Sequence, residues 1–324
     1  MRWMILFLLA ALVNPGFAQD TGPAADSHGV PTDLNTILQL QIFLDRHMFG
    51  PGKLDGAVGE FTYKAVVNYN FAHGNRDLYD WQPVLTAAAQ EVPVVYAAFK
   101  IRTDLEKFVN PQLPEKPEDQ VSHPYMAYRS WAELVAERFH TDETFLAKCN
   151  PNLKLTALKP GDVVMVPNVR SFRIEEVKAM QSFPKDATLS LNTIVVDTTE
   201  RIAAVYDPGE RLLAAFPITP GKPEFIPVGT WSVKTIMTTP SFRYDKQFLE
   251  EGVRGKEAYQ LPPGPNSPVG IIWCGLSKSG IGLHGTALPR TIGRSRSAGC
   301  VRLANWDAIR LPQLVRPSSP VIVR

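Results

Sequence analysis

His284-Gly285-Thr286, then Gly293, then Ser297-Ala298-Gly299-Cys300-Val301-Arg302-Leu303, with Asn305-Trp306-Asp307 and Leu311 behind it, is the stretch on which the reading of this chain turns. A cysteine attacks as its thiolate, and a free thiol titrating at about 8.5 is mostly protonated at neutral pH. His284 can serve as the base, while Arg290, Arg294, Arg296 and Arg302 would place positive potential around the Cys300 sulfur. Gly299 lets the backbone turn tightly and aim N–H groups at a carbonyl under attack, the makings of an oxyanion hole. Residues 305–315 read as a helix capped by Asn305, whose start near the sulfur would add a favourable dipole.

Working outward, the chain from about 187 to the end is mostly β. Runs at 191–196, 202–206, 212–219, 229–236, 269–276 and 280–284 are rich in β-branched and aliphatic residues, and Asp207-Pro208-Gly209-Glu210 marks a turn between two of them. The stretch 238–268 is long, polar and broken by Pro and Gly, the signature of a functional loop or lid. Cys274 sits among Ile271, Ile272 and Trp273, which favours a packing role.

One Cys and one His are weak evidence alone, but their setting resembles the active-site motif of the L,D-transpeptidase (YkuD-like) family, His-Gly-Thr followed by Ser-His-Gly-Cys-Val-Arg-Leu. The likeness runs through 187–324: Ile226-Pro227-Val228-Gly229-Thr230 resembles the family's Thr-Pro-x-Gly turn, and 261–270 leads into its central strand. By position, the resemblance implies Cys300 as nucleophile, His284 as base and the Gly285 carbonyl as the group orienting the imidazole. It further implies oxyanion N–H groups at Gly299 and Cys300, a carboxylate-contacting or loop-bracing Arg302, and Ser297 and Thr286 holding the geometry. The motif's second His is Ala298 here, which changes a wall of the pocket and leaves the base in place.

The implied reaction is attack by Cys300 on the carbonyl of the third residue of a peptidoglycan tetrapeptide stem, expelling D-Ala and leaving a thioester. An amine from a second stem then forms a 3-3 cross-link, whereas water would make the enzyme an L,D-carboxypeptidase. Slow acylation by carbapenems is also implied. Two other classes stay open. A different cysteine peptidase would need a third polar side chain to orient the His, and the sequence offers no candidate near the motif; a non-catalytic peptidoglycan-binding protein would leave Cys300 inert.

The first half of the chain reads differently. Residues 34–47 place apolar side chains on one helical face with Asp33 as N-cap, and Pro51-Gly52-Lys53-Leu54-Asp55-Gly56 turns into a second helix through Thr62, Ala65, Val66 and Tyr69. With Leu40-Gln41, Gly59 and 68–70, these residues resemble the peptidoglycan-binding-domain-1 fold over 31–109. Residues 110–122, rich in Pro and acidic side chains, read as an extended linker. Helices at 130–139 and 142–149 and a strand at 162–167 then resemble a βααβ LysM module over 123–170, carried by Trp131, Leu134, Phe139, Leu146, Asn150-Pro151, Leu158, Pro160-Gly161-Asp162 and Val166-Pro167. Its first strand would fall at 127–130, where the usual Gly-Asp-Thr turn is replaced by Ala127-Tyr128-Arg129-Ser130. The expected fold class is therefore multidomain: a mostly-β L,D-transpeptidase-like domain preceded by a small α-helical module and a βααβ module, with peptidoglycan stems and glycan strands as partners.

Composition narrows the classes. The 324 residues carry a formal charge of +2, too balanced for a nucleic-acid partner. Arg2, the apolar run 3–13 and Gly16-Phe17-Ala18 read as a signal peptide cleaved after residue 18, the run being shorter than the roughly 20 residues that span a bilayer. A protein exported to the periplasm or cell wall, without stable membrane insertion, is expected. Cys149, Cys274 and Cys300 are too few and too far apart for a disulfide framework, and no CxxC, HxH or HxxxH pair supports a metal, so no cofactor is expected.

Overall fold

A computed structural model describes residues 29–222, 225–226, 228–294 and 299–324. The signal peptide expected at 1–18, and Arg296, Ser297 and Ala298 of the motif, lie outside the described residues. Among the described residues no helix is long and apolar enough to cross a membrane.

Three helices come first: α1 (Leu34–Arg46), α2 (Glu60–Ala72) and α3 (Gln82–Glu91). Asp33 caps α1, accepting from the Thr36 N–H at 2.8 Å, and the face bearing Leu38, Ile42 and Phe43 is buried. The buried Gln41 amide explains much of the first motif. Its carbonyl accepts from the N–H groups of Asp55 and Gly56 at 3.0 and 2.9 Å, and its NH2 donates to Asp55 Oδ1, the Ala57 carbonyl and Thr62 Oγ1. Gln41, Asp55, Gly56 and Thr62 thus pin one turn to two helices.

Strand β1 (Tyr96–Lys100) follows, then α4 (Pro117–Gln120), α5 (Trp131–Arg138), α6 (Glu143–Cys149) and β2 (Val163–Pro167). Ser130 and Asp142 cap α5 and α6, accepting from Glu133 N–H at 3.0 Å and Phe145 N–H at 2.8 Å. Here the expectation needs correcting. The antiparallel partner of β2 is β1, inside the stretch read as helical, and Tyr128 makes only an isolated bridge to Val109. Nor is 110–122 an extended, solvated linker: Leu113 and Gln120 are buried, and the Gln120 NH2 donates to the carbonyls of Pro114 and Glu115. Asn150 fastens α6 to β2, accepting from Met165 N–H at 2.7 Å and donating to its carbonyl at 2.8 Å.

The C-terminal part contributes β3 (Thr193–Asp197), β4 (Ile202–Tyr206), β5 (Leu212–Pro217), β6 (Gly229–Thr238), β7 (Phe242–Tyr244), α7 (Lys246–Glu251), β8 (Tyr259–Leu261), β9 (Ile272–Leu276), β10 (Gly282–His284), β11 (Val301–Arg302), α8 (Asn305–Ala308), α9 (Leu311–Leu314) and β12 (Pro320–Val323). Eight strands form one sheet in the order β11-β10-β9-β6-β12-β3-β4-β5, with β7 and β8 paired separately in the expected lid segment. Two neighbours are parallel, β10 with β11 and β12 with β3.

The halves share one continuous apolar core. The chain after α1 covers the β5 edge: Gly50 N–H donates to the Ala215 carbonyl at 2.8 Å and Ala215 N–H to the Met48 carbonyl at 3.0 Å. Beneath this lies a buried ionic cluster. Arg310 donates to Asp45 at 2.7 Å and Asp307 at 3.3 Å, and Asp45 meets the His140 ring at 3.1 Å. Asp45 comes from α1, His140 from the α5–α6 turn and Asp307 with Arg310 from the α8 region, so three separate stretches meet in one cluster.

Candidate active site

Register brings the site together. Leu283 opposes Val301 and His284 opposes Arg302 across β10 and β11, while Trp273 on β9 opposes His284 from the other side. Leu283, Val301 and Cys274 are fully buried in the core. Because side chains alternate along a strand, His284, Arg302 and Trp273 share the opposite face. Cys300 stands immediately before β11, two residues ahead of the Arg302 level that faces His284. Cys274 is on the core side, its thiol pushed up to about 12 by burial, in keeping with its expected packing role.

His284 is buried, and its Nδ1 lies 2.6 Å from the Gly285 carbonyl oxygen. A carbonyl only accepts, so Nδ1 carries the proton and Nε2 keeps its lone pair. Burial holds the imidazole pKa down to about 4; the Gly285 bond opposes this, and the Arg302 charge adds to it. A neutral imidazole ready to accept a proton results. The Trp273 ring stacks beside it, centroids 5.7 Å apart and planes 20° from parallel. Glycines make room for that indole: a Cβ on Gly275 would stand 2.7 Å from Trp273 Nε1, and one on Gly282 3.0 Å from Cη2. Trp273 was read from the sequence only as an apolar neighbour of Cys274.

The Cys300 thiol donates to the Gly280 carbonyl at 3.6 Å. Although the residue as a whole is half-buried, burial around the sulfur pushes its pKa up to about 11, against the Gly282 backbone and the Arg302 charge, which favour the thiolate. Among the described residues, Arg302 is the arginine whose charge reaches this sulfur. Arg290 and Arg294 are exposed and line a cavity of about 180 Å³ towards the α1–α2 turn instead. Arg302 spans strands through its backbone, exchanging N–H···O bonds of 2.9 Å with Thr219, while its buried Nε has no partner among the described residues.

Gly299 lies against Gly221 and Phe225. A Cβ on Gly221 would come within 2.6 Å of the Gly299 Cα, and one on Gly299 within 3.4 Å of the Phe225 Cβ, so only glycine-bearing backbones approach this closely. Thr286 is buried and accepts from Leu288 N–H at 3.2 Å, shaping the loop that leaves His284. Ser297 is outside the described residues. Phe248 and Arg254, in the 238–268 stretch, pack at Gly280, where a Cβ would meet them at 3.6 and 3.7 Å.

The helix expected over 305–315 is two short pieces, α8 and α9, and Asn305 does not cap it: position Ala304 is the cap and no side chain bonds there. A four-residue helix contributes no appreciable dipole at the sulfur. Asn305 is fully buried and turned inward, its Oδ1 accepting from Ile271 N–H at 3.2 Å and its Nδ2 donating to Glu137 at 2.9 Å. It is a polar side chain beside the motif of the kind the sequence reading did not find. Among the described residues no group of three His, Cys, Asp or Glu is placed to hold a metal ion.

With this geometry in view, residues 191–323 match the family model of YkuD, the L,D-transpeptidase catalytic domain. Over 184 residues the chain is 27% identical to a Bacillus licheniformis protein named as L,D-transpeptidase YkuD, spanning 56% of this chain and 87% of that one. The protein of the same name in Bacillus subtilis is 26% identical over 190 residues, 58% of this chain and 90% of its own. Among solved structures, L,D-transpeptidase 3 from Mycobacterium tuberculosis aligns at 18% identity with a TM-score of 0.34, covering 52% of this chain and 76% of that one.

Proposed function

We propose that this chain, which carries an L,D-transpeptidase-family catalytic domain at residues 191–323, cleaves the bond between the third residue and D-Ala of a peptidoglycan tetrapeptide stem and passes the acyl group through a Cys300 thioester to an amine. The observation that carries the reading is the His284 Nδ1 to Gly285 carbonyl bond of 2.6 Å, which leaves Nε2 as the acceptor on the strand beside Cys300.

The steps follow from the protonation states. As the sulfur attacks the carbonyl, its proton passes to His284 Nε2, and the tetrahedral oxyanion is received by the N–H groups of Gly299 and Cys300. Collapse breaks the C–N bond, and the imidazolium returns the proton to the departing D-Ala amine. The entering amine gives a proton to Nε2 as it attacks the thioester; the C–S bond breaks, and sulfur recovers its proton from the imidazolium. Arg302 would meet a substrate carboxylate, its buried Nε being unpaired among the described residues. Ser297 and Thr286 would keep the loop in shape. Water in place of the amine gives the L,D-carboxypeptidase reaction by the same route.

The helical and β1–α5–α6–β2 parts would hold the protein on glycan strands of an exported compartment, following a signal peptide at 1–18. Mass spectrometry of wild type and Cys300→Ala with disaccharide-tetrapeptide tests the chemistry. Wild type should lose D-Ala through an acyl-enzyme and the variant should not; D-Ala loss by both sinks the proposal. Sedimentation of Cys300→Ala with peptidoglycan tests retention, and a protein left in the supernatant would make the N-terminal half a support for the enzyme.

A further inference from the structure

The Asn305 amide sits in a niche made by two glycines. A Cβ on Gly270, which has φ +58°, or on Gly285 would stand 2.1 Å from Asn305 Oδ1. The side chain is therefore packed against the backbone of the residue whose carbonyl holds the His284 ring. Its orientation is not free. Oδ1 accepts from Ile271 N–H at 3.2 Å, and Nδ2 donates to Glu137 Oε1 at 2.9 Å and to the Pro265 carbonyl at 3.3 Å. Turning the amide over would set an NH2 against the Ile271 N–H and an oxygen against the Pro265 carbonyl, so the bonds select one orientation.

Glu137 reaches this point from α5, outside the strands that carry the chemistry. It is 5% exposed, and its Oε1 also accepts from the Tyr128 hydroxyl at 2.9 Å, Tyr128 being 1% exposed. The backbone around it is fastened to the same region, Met126 N–H donating to the Pro263 carbonyl at 2.8 Å and Asn266 Nδ2 to the Ala127 carbonyl at 2.9 Å. A hydrogen-bonded and packed path thus runs from Tyr128 through Glu137 and Asn305 to Gly285 and His284.

We infer that Glu137, supplied by the N-terminal half, is a positioning residue for the reaction: it fixes the Asn305 amide, which braces Gly285 and so the carbonyl that orients His284. This rests on the Cys300–His284 reading above. The N-terminal half then has a part in the chemistry that is separate from any hold on glycan. Glu137 touches neither substrate nor sulfur, and its effect is on where Nε2 points. An isosteric amide serves as well as the acid, because the Gln carbonyl accepts the same two bonds. An apolar residue leaves Asn305 Nδ2 with the longer Pro265 bond alone and Tyr128 with none.

Iodoacetamide alkylation of the full chain, read by mass spectrometry at the Cys300 peptide, tests this without relying on turnover. Wild type should react faster than His284→Ala, which checks the pair itself; equal rates would overturn the base assignment and with it this inference. Glu137→Leu should slow alkylation by about ten- to hundredfold, the range for a displaced reacting group, while Glu137→Gln stays within about twofold. On tetrapeptide the loss should fall on kcat with KM little changed. A Glu137→Leu protein that melts cooperatively and keeps the wild-type, His284-dependent rate would overturn the proposal, as would a Glu137→Gln protein as slow as Glu137→Leu. Asn305→Ala, which leaves Glu137 in place, is the second variant should Glu137→Leu not fold; it should be slow as well, and wild-type behaviour from it would equally end the proposal.

Discussion

Cys300 and His284 both rest neutral at physiological pH, with burial the leading cause for each: the thiol is pushed up to about 11 and the imidazole down to about 4. The proton therefore moves during attack and not before it. A thiolate–imidazolium pair at rest would absorb near 240 nm at pH 7, and we expect no such band that disappears in Cys300→Ala. Since His284 must be neutral to accept a proton, the acid limb of Cys300 acylation should fall well below the ordinary histidine value of about 6.5. An acid limb at 6.5 in wild type would show that His284 is better solvated than its surroundings imply. Glu137 makes a second prediction. Its carboxyl is pushed up to about 8 by burial, with the Asn305 and Tyr128 bonds opposing and the Glu133 charge adding. Between about 4.3, where the unfolded chain loses this proton, and about 8, the folded state still holds it. The unfolded state thus binds fewer protons, and this group's contribution to stability falls as pH rises, by at most about 1.4 kcal/mol per unit. Denaturant midpoints from pH 5 to 8 should drop less in Glu137→Gln than in wild type, and parallel curves would refute the assignment.

At the scale of elements, Gly293, between β10 and β11, is held by both the helical part and the sheet. Gly293 has φ +73° and lies against Phe61 of α2, where a Cβ would stand 2.3 Å from the ring. Its carbonyl accepts from Arg201 Nη1 at 2.7 Å, and its N–H donates to Thr219 Oγ1 at 2.9 Å. Gly293→Ala should destabilise the protein by about 1–3 kcal/mol through strained backbone and overpacking. Adding Phe61→Ala should recover part of the loss, a coupling readable from the four melting curves of the cycle. Elements with strong local periodicity were legible in the sequence: α1 with its Asp33 cap and β4 at 202–206. What could not be read was long-range choice. Nothing in Tyr96–Lys100 says that it pairs with Val163–Pro167, because a short apolar strand carries no address for its partner. Asn305 looked like a cap because Asn before a helix usually is one; its inward turn depends on Glu137, 168 residues away. The close approach of Gly270 and Gly285 was the available signal, since glycines at such positions mark backbones or side chains that come too near for a Cβ.

For the molecule as a whole, the Asp45, His140, Asp307 and Arg310 cluster ties the two halves together, and we expect them to unfold as one unit. Asp45 is held well below the usual carboxylate range by Arg310 and His140 despite full burial, while burial and the Asp45 charge push Asp307 up. Asp45→Ala should cost about 3–5 kcal/mol, the penalty for stranding a buried charge. It should lower a single transition seen alike by near- and far-ultraviolet dichroism, whereas two separated transitions would show independent halves. Residues 187–324 alone should be poorly soluble, because they lose the 48–50 segment that covers the β5 edge. The sequence boundaries at 109 and 122 were drawn where composition changes, and composition reports solvation rather than docking.

Strand β12 occupies the middle of the sheet, between β6 and β3, although it comes from 320–323. The β3-β4-β5 meander can form from neighbouring residues, and β6, β9 and β10 can assemble on their own; within the sheet β12 joins the two groups, which meet again where Thr219, after β5, bonds Arg302 of β11. Its register places Arg324 beside Thr198, 126 residues earlier. Closing so long a loop for so few hydrogen bonds is an entropic search, and it should slow folding. Until it is complete, two sticky sheet edges face each other across an open gap. A chain built this way should refold slowly, aggregate more at higher concentration while it waits, and, once closed, come apart more slowly still.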